Sequence, residues 1–247
     1  MLKKRIIISL TFLNGVLFRT KKFIPDYRYT KEFINFWNID ELILIDISEK
    51  KFSKEFMNII NFFSKNCFVP ISVGGGISCL RDAKIFFEQG ADKIIVGSRG
   101  ILDQKLNEEI STIYGNQSLI QAFDFCKQND NYVLFSDSGQ KSMNKNLSDI
   151  ILNINFKHIG EVFLNNIEND GSMLGFDINV IKKVERKIDR PIIILGGGGN
   201  WLHFLDVFSK TSISATCTQN IFHFTEESIK SLKKYLLKNK INIRETV

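Results

Sequence analysis

Two runs of consecutive glycines, each at the end of a short apolar segment, constrain the fold of this chain more than any other feature. Gly74-Gly75-Gly76 follows the apolar residues 68–73, and Gly196-Gly197-Gly198-Gly199 follows residues 191–195. Glycine has no Cβ, so it allows positive φ angles and lets backbone N–H groups approach a ligand closely. Each run precedes a helical pattern, and the N-terminus of a helix behind such a turn suits a phosphate group.

The segments after the two glycine runs repeat the same order of elements. A helical pattern and an apolar segment (94–98) follow the first run, and a helical pattern and a second apolar segment (213–218) follow the other. A strand, a glycine turn, a helix and a further strand in each half indicate βαβ units and an internal duplication. The repeat favours a ligand with an anionic group at each end.

Eight apolar segments indicate strands of a parallel sheet, because most are continuous rather than alternating. The predicted strands are 5–12, 41–47, 69–73, 93–97, 119–124, 161–165, 192–195 and 213–218. The predicted helices are 30–37, 53–65, 80–89, 104–114, 147–156, 178–187, 201–210 and 226–239. Together they predict a single α/β domain over residues 1–247, a closed (β/α)8 TIM barrel with half-barrel internal duplication. An open doubly wound sheet is the alternative, and it explains the duplicated halves less well.

Two long connections interrupt this pattern. Residues 14–29, after the first predicted strand, are expected to form a long basic and aromatic loop. Residues 129–142, after the fifth strand, contain the strand-like segment 132–135 and are compatible with a small hairpin. Both connections follow the carboxyl ends of barrel strands, where barrel enzymes build their sites.

Composition excludes several classes of function. The hydrophobic content of 44% and charged content of 24% are ordinary for a soluble globular protein. No apolar run is long enough to cross a bilayer and no signal cleavage site is evident, so we expect a cytoplasmic protein without a membrane partner. The net charge of +6 is modest, and no aromatic residues interleave with the lysines, so we expect no nucleic-acid partner. The cysteines and histidines lack metal-ligand spacing, so no metal site is expected.

Charged residues occupy both ends of the predicted strands. Asp46, Asp124 and Asp170 follow strand ends, where a carboxylate can act as a general acid or base or can cap the next turn. Four more charged residues begin strands, namely Arg5, Glu41, Lys93 and Glu161. Charges at that end of a barrel usually pair for stability. Their alternating signs fit such a pairing and fit equally well a gate on the barrel axis.

Motifs along the whole chain carry a family resemblance. They are residues 1–10, 40–42, Asp46, 73–77, 90–93, 170–171, 175–177, 203–205 and 222–224. In this order they resemble the cyclase subunit of imidazole glycerol phosphate synthase. The resemblance implies a half-duplicated (β/α)8 barrel that takes ammonia from a glutaminase (HisH-like) subunit on its N-terminal face. The ammonia passes through the barrel to a bisphosphorylated substrate, and neither a metal nor an organic cofactor is implied.

The resemblance assigns a role to each matching residue. It implies an ammonia gate formed by Arg5, Glu41, Lys93 and Glu161, with Asp92 at the glutaminase interface. It implies phosphate- or substrate-binding positions at Asp46, Gly75, Gly76, Gly97 and Ser98 in one half of the barrel and at Gly171, Gly197, Gln219 and Asn220 in the other. It implies active-site roles for Asp124 and Asp170.

One expected catalytic residue is replaced. Cyclases have Cys-Leu-Asp-Val where this chain has Ser-Leu-Thr-Phe at residues 9–12, so Thr11 stands at the position of a catalytic aspartate. A hydroxyl is a poor base near neutral pH, and loss of one member of such a pair should reduce the rate by orders of magnitude. The chain further departs from the cyclases at Arg19 (usually lysine), Gly97 (asparagine), Leu195 (serine) and Asn220 (serine).

This combination resembles a sister group within the family that lacks the first aspartate. Its members act with a glutaminase and an ATP-dependent amidotransferase or ligase to install an acetamidino group on a nucleotide-linked sugar of bacterial surface polysaccharide. The resemblance implies an ammonia-delivery subunit with a phosphorylated small-molecule substrate. Two alternatives remain open: a histidine-pathway cyclase that uses Asp124 and tolerates Thr11, and a non-catalytic scaffold that activates its glutaminase by docking around Asp92.

Overall fold

The computed structural model describes residues 3–29, 39–219 and 228–245. The strands in these ranges are β1 (Arg5–Leu13), β2 (Val16–Lys21), β3 (Ile24–Tyr29), β4 (Glu41–Asp46), β5 (Ile71–Gly74), β6 (Lys93–Val96), β7 (Leu119–Gln128), β8 (Asn131–Ser136), β9 (Lys141–Asn146), β10 (Glu161–Asn166), β11 (Ile192–Leu195) and β12 (Ala215–Thr218). The helices are α1 (Lys54–Asn66), α2 (Leu80–Glu88), α3 (Ser98–Leu102), α4 (Gln104–Tyr114), α5 (Leu147–Asn153), α6 (Ile178–Val184), α7 (Trp201–Lys210) and α8 (Ser228–Lys238).

Eight of these strands form a closed parallel barrel. They pair in the order β1, β4, β5, β6, β7, β10, β11 and β12, and β12 pairs in parallel with β1 to close the sheet. Because helices alternate with these strands, the predicted (β/α)8 TIM barrel is confirmed. The two glycine runs follow the third and the seventh barrel strands, β5 and β11, half a turn of the barrel apart.

Several predicted boundaries need correction. The bounds of β11, α4 and α7 agree with the prediction, whereas the predicted helix 147–156 ends at Asn153 because Ile154 is already extended. The predicted helix 178–187 continues beyond α6 only as a 3-10 turn, Glu185–Lys187. The predicted helix 30–37 lies outside the described residues, as does the start of the predicted helix 226–239.

The expectation of a loop over residues 14–29 is wrong. β2 pairs antiparallel with the end of β1, and β3 pairs antiparallel with β2. Asn14 and Gly15 both have positive φ angles, 51° and 76°, as the tight turn of an Asn-Gly hairpin requires. This extension of the sheet, β2–β3, lies beyond the carboxyl end of the barrel. Residues 129–142 form the expected hairpin, since β8 pairs with β7 and β9 pairs with β8.

Barrel strands are buried on both faces, which explains their continuous apolar sequences. One apolar cluster lies between the strands and the helices and includes Ile6, Ile8 and Leu42. A second cluster fills the barrel interior and includes Ile7, Ile43, Ile95, Ile120, Phe163 and Ile193. The side-chain alternation of a strand sends neighbouring residues into the two clusters. In the described part of the chain, no helix has the length and apolarity needed to cross a membrane.

A buried ion pair anchors α8 to the base of the barrel. Lys233 Nζ donates to Asp40 Oδ1 at 2.8 Å, and Asp40 Oδ2 accepts a hydrogen bond from the backbone N–H of Ile6 at 2.8 Å. Both charged side chains are about 3% exposed. Removal of one partner from such a pair leaves an uncompensated buried charge.

We therefore expect Asp40→Ala to lower the free energy of unfolding by about 3–5 kcal/mol, measured by equilibrium urea denaturation. The matched control is Asp206→Ala, which breaks the exposed Asp206–Lys210 pair of α7. We expect this control to lose less than about 1 kcal/mol. Equal losses in the two variants would contradict an anchoring role of the Asp40 pair.

Candidate active site

A closed ring of four charged side chains lies at the N-terminal end of the barrel. Arg5 donates to Glu41 and to Glu161, with N–O distances of 2.5 Å in both cases. Lys93 Nζ lies 3.1 Å from Glu41 and 2.5 Å from Glu161. Each cation therefore contacts both carboxylates, and the four residues come from β1, β4, β6 and β10. The structure thus brings together all four residues of the predicted gate.

Pairing offsets the burial of these charges. Burial disfavours the charged form of Glu161, but the hydrogen bonds and charges of Arg5 and Lys93 outweigh it and hold its pKa below the ordinary range. Burial also opposes the charge of Arg5, and its two carboxylate partners more than compensate, so its pKa is raised. Arg5 and Glu161 therefore keep their charges near neutral pH, and the formal charges of the four ring residues sum to zero.

Asp92 lies on the same end of the barrel, at the edge of the ring. Its side chain is exposed, and Oδ2 accepts a hydrogen bond from the backbone N–H of Ile71 at 2.8 Å. This bond ties the start of β6 to the start of β5. Asp92 is therefore placed where a partner on the N-terminal face could reach it, and it also has a structural role of its own.

The opposite end of the barrel opens into a cavity of about 270 Å³. Many predicted site residues line it, namely Thr11, Asp46, Gly75, Gly76, Gly97, Ser98, Asp124 and Gln219. The floor is the apolar interior of the barrel, including Ile95 and Phe163. Phe23 of the β2–β3 turn and residues 136–138 of the β8–β9 turn line its rim.

The first glycine run forms one wall of this cavity and requires glycine. Gly75 and Gly76 have φ angles of 133° and 77°. A Cβ on Gly75 would lie 2.6 Å from the carbonyl oxygen of Asp46, so a larger residue would collide with β4. Gly97, after β6, has no atom within 4 Å of its Cβ position and faces open space. Backbone groups on this wall are therefore accessible to a ligand.

Asp124 lies at the mouth of the barrel, the C-terminal end that opens into this cavity. It stands at the point where β7 leaves the barrel. Asn165 Nδ2 donates to Asp124 Oδ1 at 2.8 Å. Burial raises the pKa of Asp124 to about 6, and the hydrogen bond from Asn165 opposes the shift in part. A carboxyl group with this pKa can both accept and release a proton near neutral pH.

Thr11 and Asp46 provide the other polar side chains of the mouth. Thr11 Oγ1 accepts a hydrogen bond from Gln219 Nε2 at 2.9 Å, and no carboxylate occupies its position. Asp46 Oδ1 accepts hydrogen bonds from the backbone N–H and the hydroxyl of Ser48. Asp46 Oδ2 is buried and has no hydrogen-bond partner.

Asp170 does not line this cavity but borders a neighbouring cleft, which shares Leu195 and Gln219 with it. Its Oδ2 accepts hydrogen bonds from Thr20 Oγ1 at 2.6 Å and from the backbone N–H of Phe23 at 2.9 Å. Burial raises the pKa of Asp170 to about 6, and these hydrogen bonds oppose the shift. In this structure Asp170 holds the β2–β3 turn. Gly171 and Gly197 line a cleft of only about 10 Å³ beside it, and Asn220 lies outside the described residues.

Sequence reasoning missed several polar side chains of the cavity, among them Lys51 and Asn165. Lys51 lies in the connection between β4 and α1, and its side chain covers Gly76. Asn165 lies one residue before the end of β10, in register with Asp124 of β7. The strand-end position of Asn165 was a detectable signal, whereas Lys51 belongs to no strand-end or glycine motif.

The raised pKa of Asp124 has a consequence for stability. Between about pH 4 and 6 the folded state retains a proton that the unfolded state has released, so the free energy of unfolding falls as the pH rises. This loss is complete above about pH 6. We expect Asp124→Asn to abolish it and to be about 1–2 kcal/mol more stable than the wild type at pH 8, with little difference at pH 4. Urea denaturation at the two pH values measures this, and a variant that is less stable at pH 8 would contradict it.

The family model described as histidine biosynthesis protein matches residues 10–228. The chain is 31% identical over 255 residues to the imidazole glycerol phosphate synthase subunit HisF of Natranaerobius thermophilus, covering 99% of this chain and 100% of that protein. It is 32% identical over 250 residues to the subunit of the same name from Pelodictyon phaeoclathratiforme, covering 99% and 100%.

A protein of Parasynechococcus marenigrum, provisionally named imidazole glycerol phosphate synthase subunit hisF2, is 33% identical over 239 residues. That alignment covers 93% of this chain and 89% of the relative. The family match covers most of the barrel, and the relatives extend over nearly the whole chain. The chain therefore belongs to the histidine biosynthesis protein family and is similar to the enzyme subunits named HisF.

Proposed function

We propose that this chain is the ammonia-accepting subunit of a glutamine amidotransferase system. It conducts ammonia from a glutaminase (HisH-like) subunit through the barrel to a phosphorylated or nucleotide-linked sugar, in the acetamidino modification of a surface polysaccharide. One observation carries the proposal: the four-residue ring is complete, while Thr11 replaces the carboxylate that ring closure by a cyclase would use. The route for ammonia is kept and one half of the acid–base pair is lost.

The ring of four charged residues supports the first part of this proposal, the conduction of ammonia into the barrel. It is the boundary between the N-terminal face and an apolar interior lined by side chains such as Ile7 and Ile43. An ammonium ion would lose its hydration in that interior, whereas neutral ammonia suffers much less. Lys93 is the most exposed ring member, with 17% of its side chain accessible, so its displacement is the simplest way to open the ring. Arg5 would still hold both glutamates.

The residues at the mouth of the barrel support the second part of this proposal, the transfer of ammonia to an acceptor. Asp124, with its pKa near 6, is placed to take a proton from ammonia as a new carbon–nitrogen bond forms. Thr11 is held by Gln219 and offers only a hydroxyl group. One carboxylate suffices for proton removal during amidation, whereas ring closure requires an acid and a base acting together. An ATP-dependent ligase would activate the acceptor, so that its oxygen can leave.

The two ends of the barrel indicate where each partner binds. The N-terminal face carries the ring and the exposed Asp92, so the glutaminase subunit docks there. The acceptor approaches the opposite face, where the glycine wall and Asp124 lie. This division keeps ammonia away from bulk solvent between its release and its use.

The names of the relatives favour a second candidate, a genuine cyclase subunit of imidazole glycerol phosphate synthase in histidine biosynthesis. Its support is sequence identity of about 30% over almost the whole chain. In that case Asp124 alone would provide the acid–base chemistry. The two candidates differ in whether the purified chain can close the imidazole ring.

We therefore expect the purified chain to form no imidazole glycerol phosphate from the bisphosphorylated ribonucleotide substrate of the cyclase and ammonium salt. Free ammonia bypasses the glutaminase, so a missing partner cannot hide the activity. The positive control is the Natranaerobius thermophilus HisF under the same conditions, and circular dichroism verifies that the chain is folded. Clear turnover would reject the proposed function and establish the second candidate.

A further inference from the structure

The buried hydroxyl group of Thr11 makes one hydrogen bond within the described part of the chain, and in that bond it is the acceptor. Gln219 Nε2 donates to Thr11 Oγ1 at 2.9 Å. An amide nitrogen can only donate, whereas a threonine hydroxyl has one hydrogen to donate and two lone pairs that accept. The hydrogen atom of the Thr11 hydroxyl is therefore free for another acceptor.

The backbone of β2 determines which end of the Gln219 amide faces Thr11. The backbone N–H of Thr20 donates to Gln219 Oε1 at 3.2 Å, and a backbone N–H cannot accept. The amide atom beside Thr20 is therefore the oxygen, and the amide atom beside Thr11 is the nitrogen. A reversed amide would place two N–H groups against each other at a buried residue, which is unfavourable.

Asp170 holds Thr20 in this position. Asp170 Oδ2 accepts hydrogen bonds from Thr20 Oγ1 at 2.6 Å and from the backbone N–H of Phe23 at 2.9 Å. Both Thr20 and Asp170 are buried. A continuous series of hydrogen bonds thus runs from Asp170 through Thr20 and Gln219 to Thr11. This series connects Asp170 indirectly to the cavity that it does not line.

The network changes what residue 11 can offer to a ligand. An ionised aspartate at this position would also accept the bond from Gln219, but it would have no hydrogen to donate. Thr11 lines the cavity, and no described residue places an acceptor within hydrogen-bond distance of its hydroxyl hydrogen. This hydrogen is therefore available to a molecule in the cavity.

Atoms that can only accept a hydrogen bond lie elsewhere in the same cavity. Asp124 and Asn165 line it, and Asn165 Oδ1 is buried without a partner among the described residues. Buried polar atoms without partners are rare in native proteins. Ammonia has three hydrogens and suits these acceptors. An oxygen atom of the second substrate suits the hydroxyl hydrogen of Thr11.

We infer that Thr11 is a hydrogen-bond donor to an oxygen atom of the substrate that receives the ammonia, and that Gln219 is the positioning residue that directs the Thr11 hydroxyl hydrogen into the cavity. This inference deepens the proposed function, on which it rests. As the carbon–nitrogen bond forms, the electron pair of a carbon–oxygen double bond moves to this oxygen, and Asp124 takes one proton from the nitrogen. The bond from Thr11 stabilises the charge that develops on the oxygen.

Neutron diffraction from deuterated crystals of the full chain tests the direction of the hydroxyl group. We expect the deuterium atom of Thr11 to lie on the cavity side of Oγ1, and the amide deuterium atoms of Gln219 to lie beside Thr11. In Gln219→Glu, whose carboxylate accepts on both sides, we expect the deuterium atom of Thr11 to turn toward residue 219. A wild-type map with this deuterium directed at Gln219 would overturn the inference.

Titration calorimetry with UDP-N-acetylglucosamine, a nucleotide-linked sugar with an acetamido group, tests the bond to the substrate. We expect Thr11→Val to weaken binding about three- to tenfold, because one hydrogen bond is lost, and Thr11→Ser to retain the affinity. Thr11→Asp still accepts from Gln219 but offers no hydrogen, so it should weaken binding at least as much as Thr11→Val. Unchanged affinity in Thr11→Val would overturn the donor role.

The matched control is Thr216→Val. Thr216 is a buried threonine of β12, and its neighbours Ala215 and Cys217 belong to the barrel interior, so its side chain faces the helices. We expect this control to leave the affinity for the nucleotide-linked sugar unchanged. A loss equal to that of Thr11→Val would overturn the assignment to Thr11.

A double-mutant cycle separates the positioning role of Gln219 from the charge that Gln219→Glu introduces. In this background the Thr11 hydroxyl is already turned away, so Thr11→Val should change the affinity by less than about twofold. An equal effect of Thr11→Val in both backgrounds would overturn the positioning role. Absence of binding to the wild-type chain would contradict the acceptor named in the proposed function, whereas the neutron map decides the direction of the hydroxyl group independently.

Discussion

The charged ring at the base of the barrel is the interaction on which the rest of the structure depends. Four side chains from four strands would each be a costly buried charge alone, and only their mutual pairing makes the barrel end stable. The pairing also fixes how β1, β4, β6 and β10 are aligned, because each cation must reach two carboxylates. The same ring lies at the end of the barrel where the proposed route for ammonia begins.

At the other end, the two halves of a repeated architecture have diverged. Both glycine runs follow equivalent strands, but the first borders the large cavity and the second borders a small cleft beside the β2–β3 turn, which Asp170 holds. Thr11 points into the same mouth without a carboxylate. In our account the replacement at Thr11 removes the second catalytic carboxylate that a cyclase requires.

The sequence predicted the barrel, and the ring within it, because both depend on local patterns. Continuous apolar strands indicate burial on both faces, and charges at strand starts share one end of a parallel barrel. The prediction of a loop over residues 14–29 was wrong, although Asn14-Gly15 is a recognised hairpin turn, because it was based on the basic and aromatic composition of the segment. The contacts of Asp170 and Lys51 depend on where the connections between strands fold back. No periodicity in the sequence predicts this.

The most direct test of the central claim is growth of a histidine auxotroph that lacks its own cyclase subunit and expresses this chain in ammonium-rich medium without histidine. A HisF relative serves as the positive control, and immunoblotting verifies soluble expression. Our account predicts no growth, because the ammonia route is present but the cyclising carboxylate pair is not. Growth comparable to the control would contradict it and would identify the chain as a histidine-pathway cyclase.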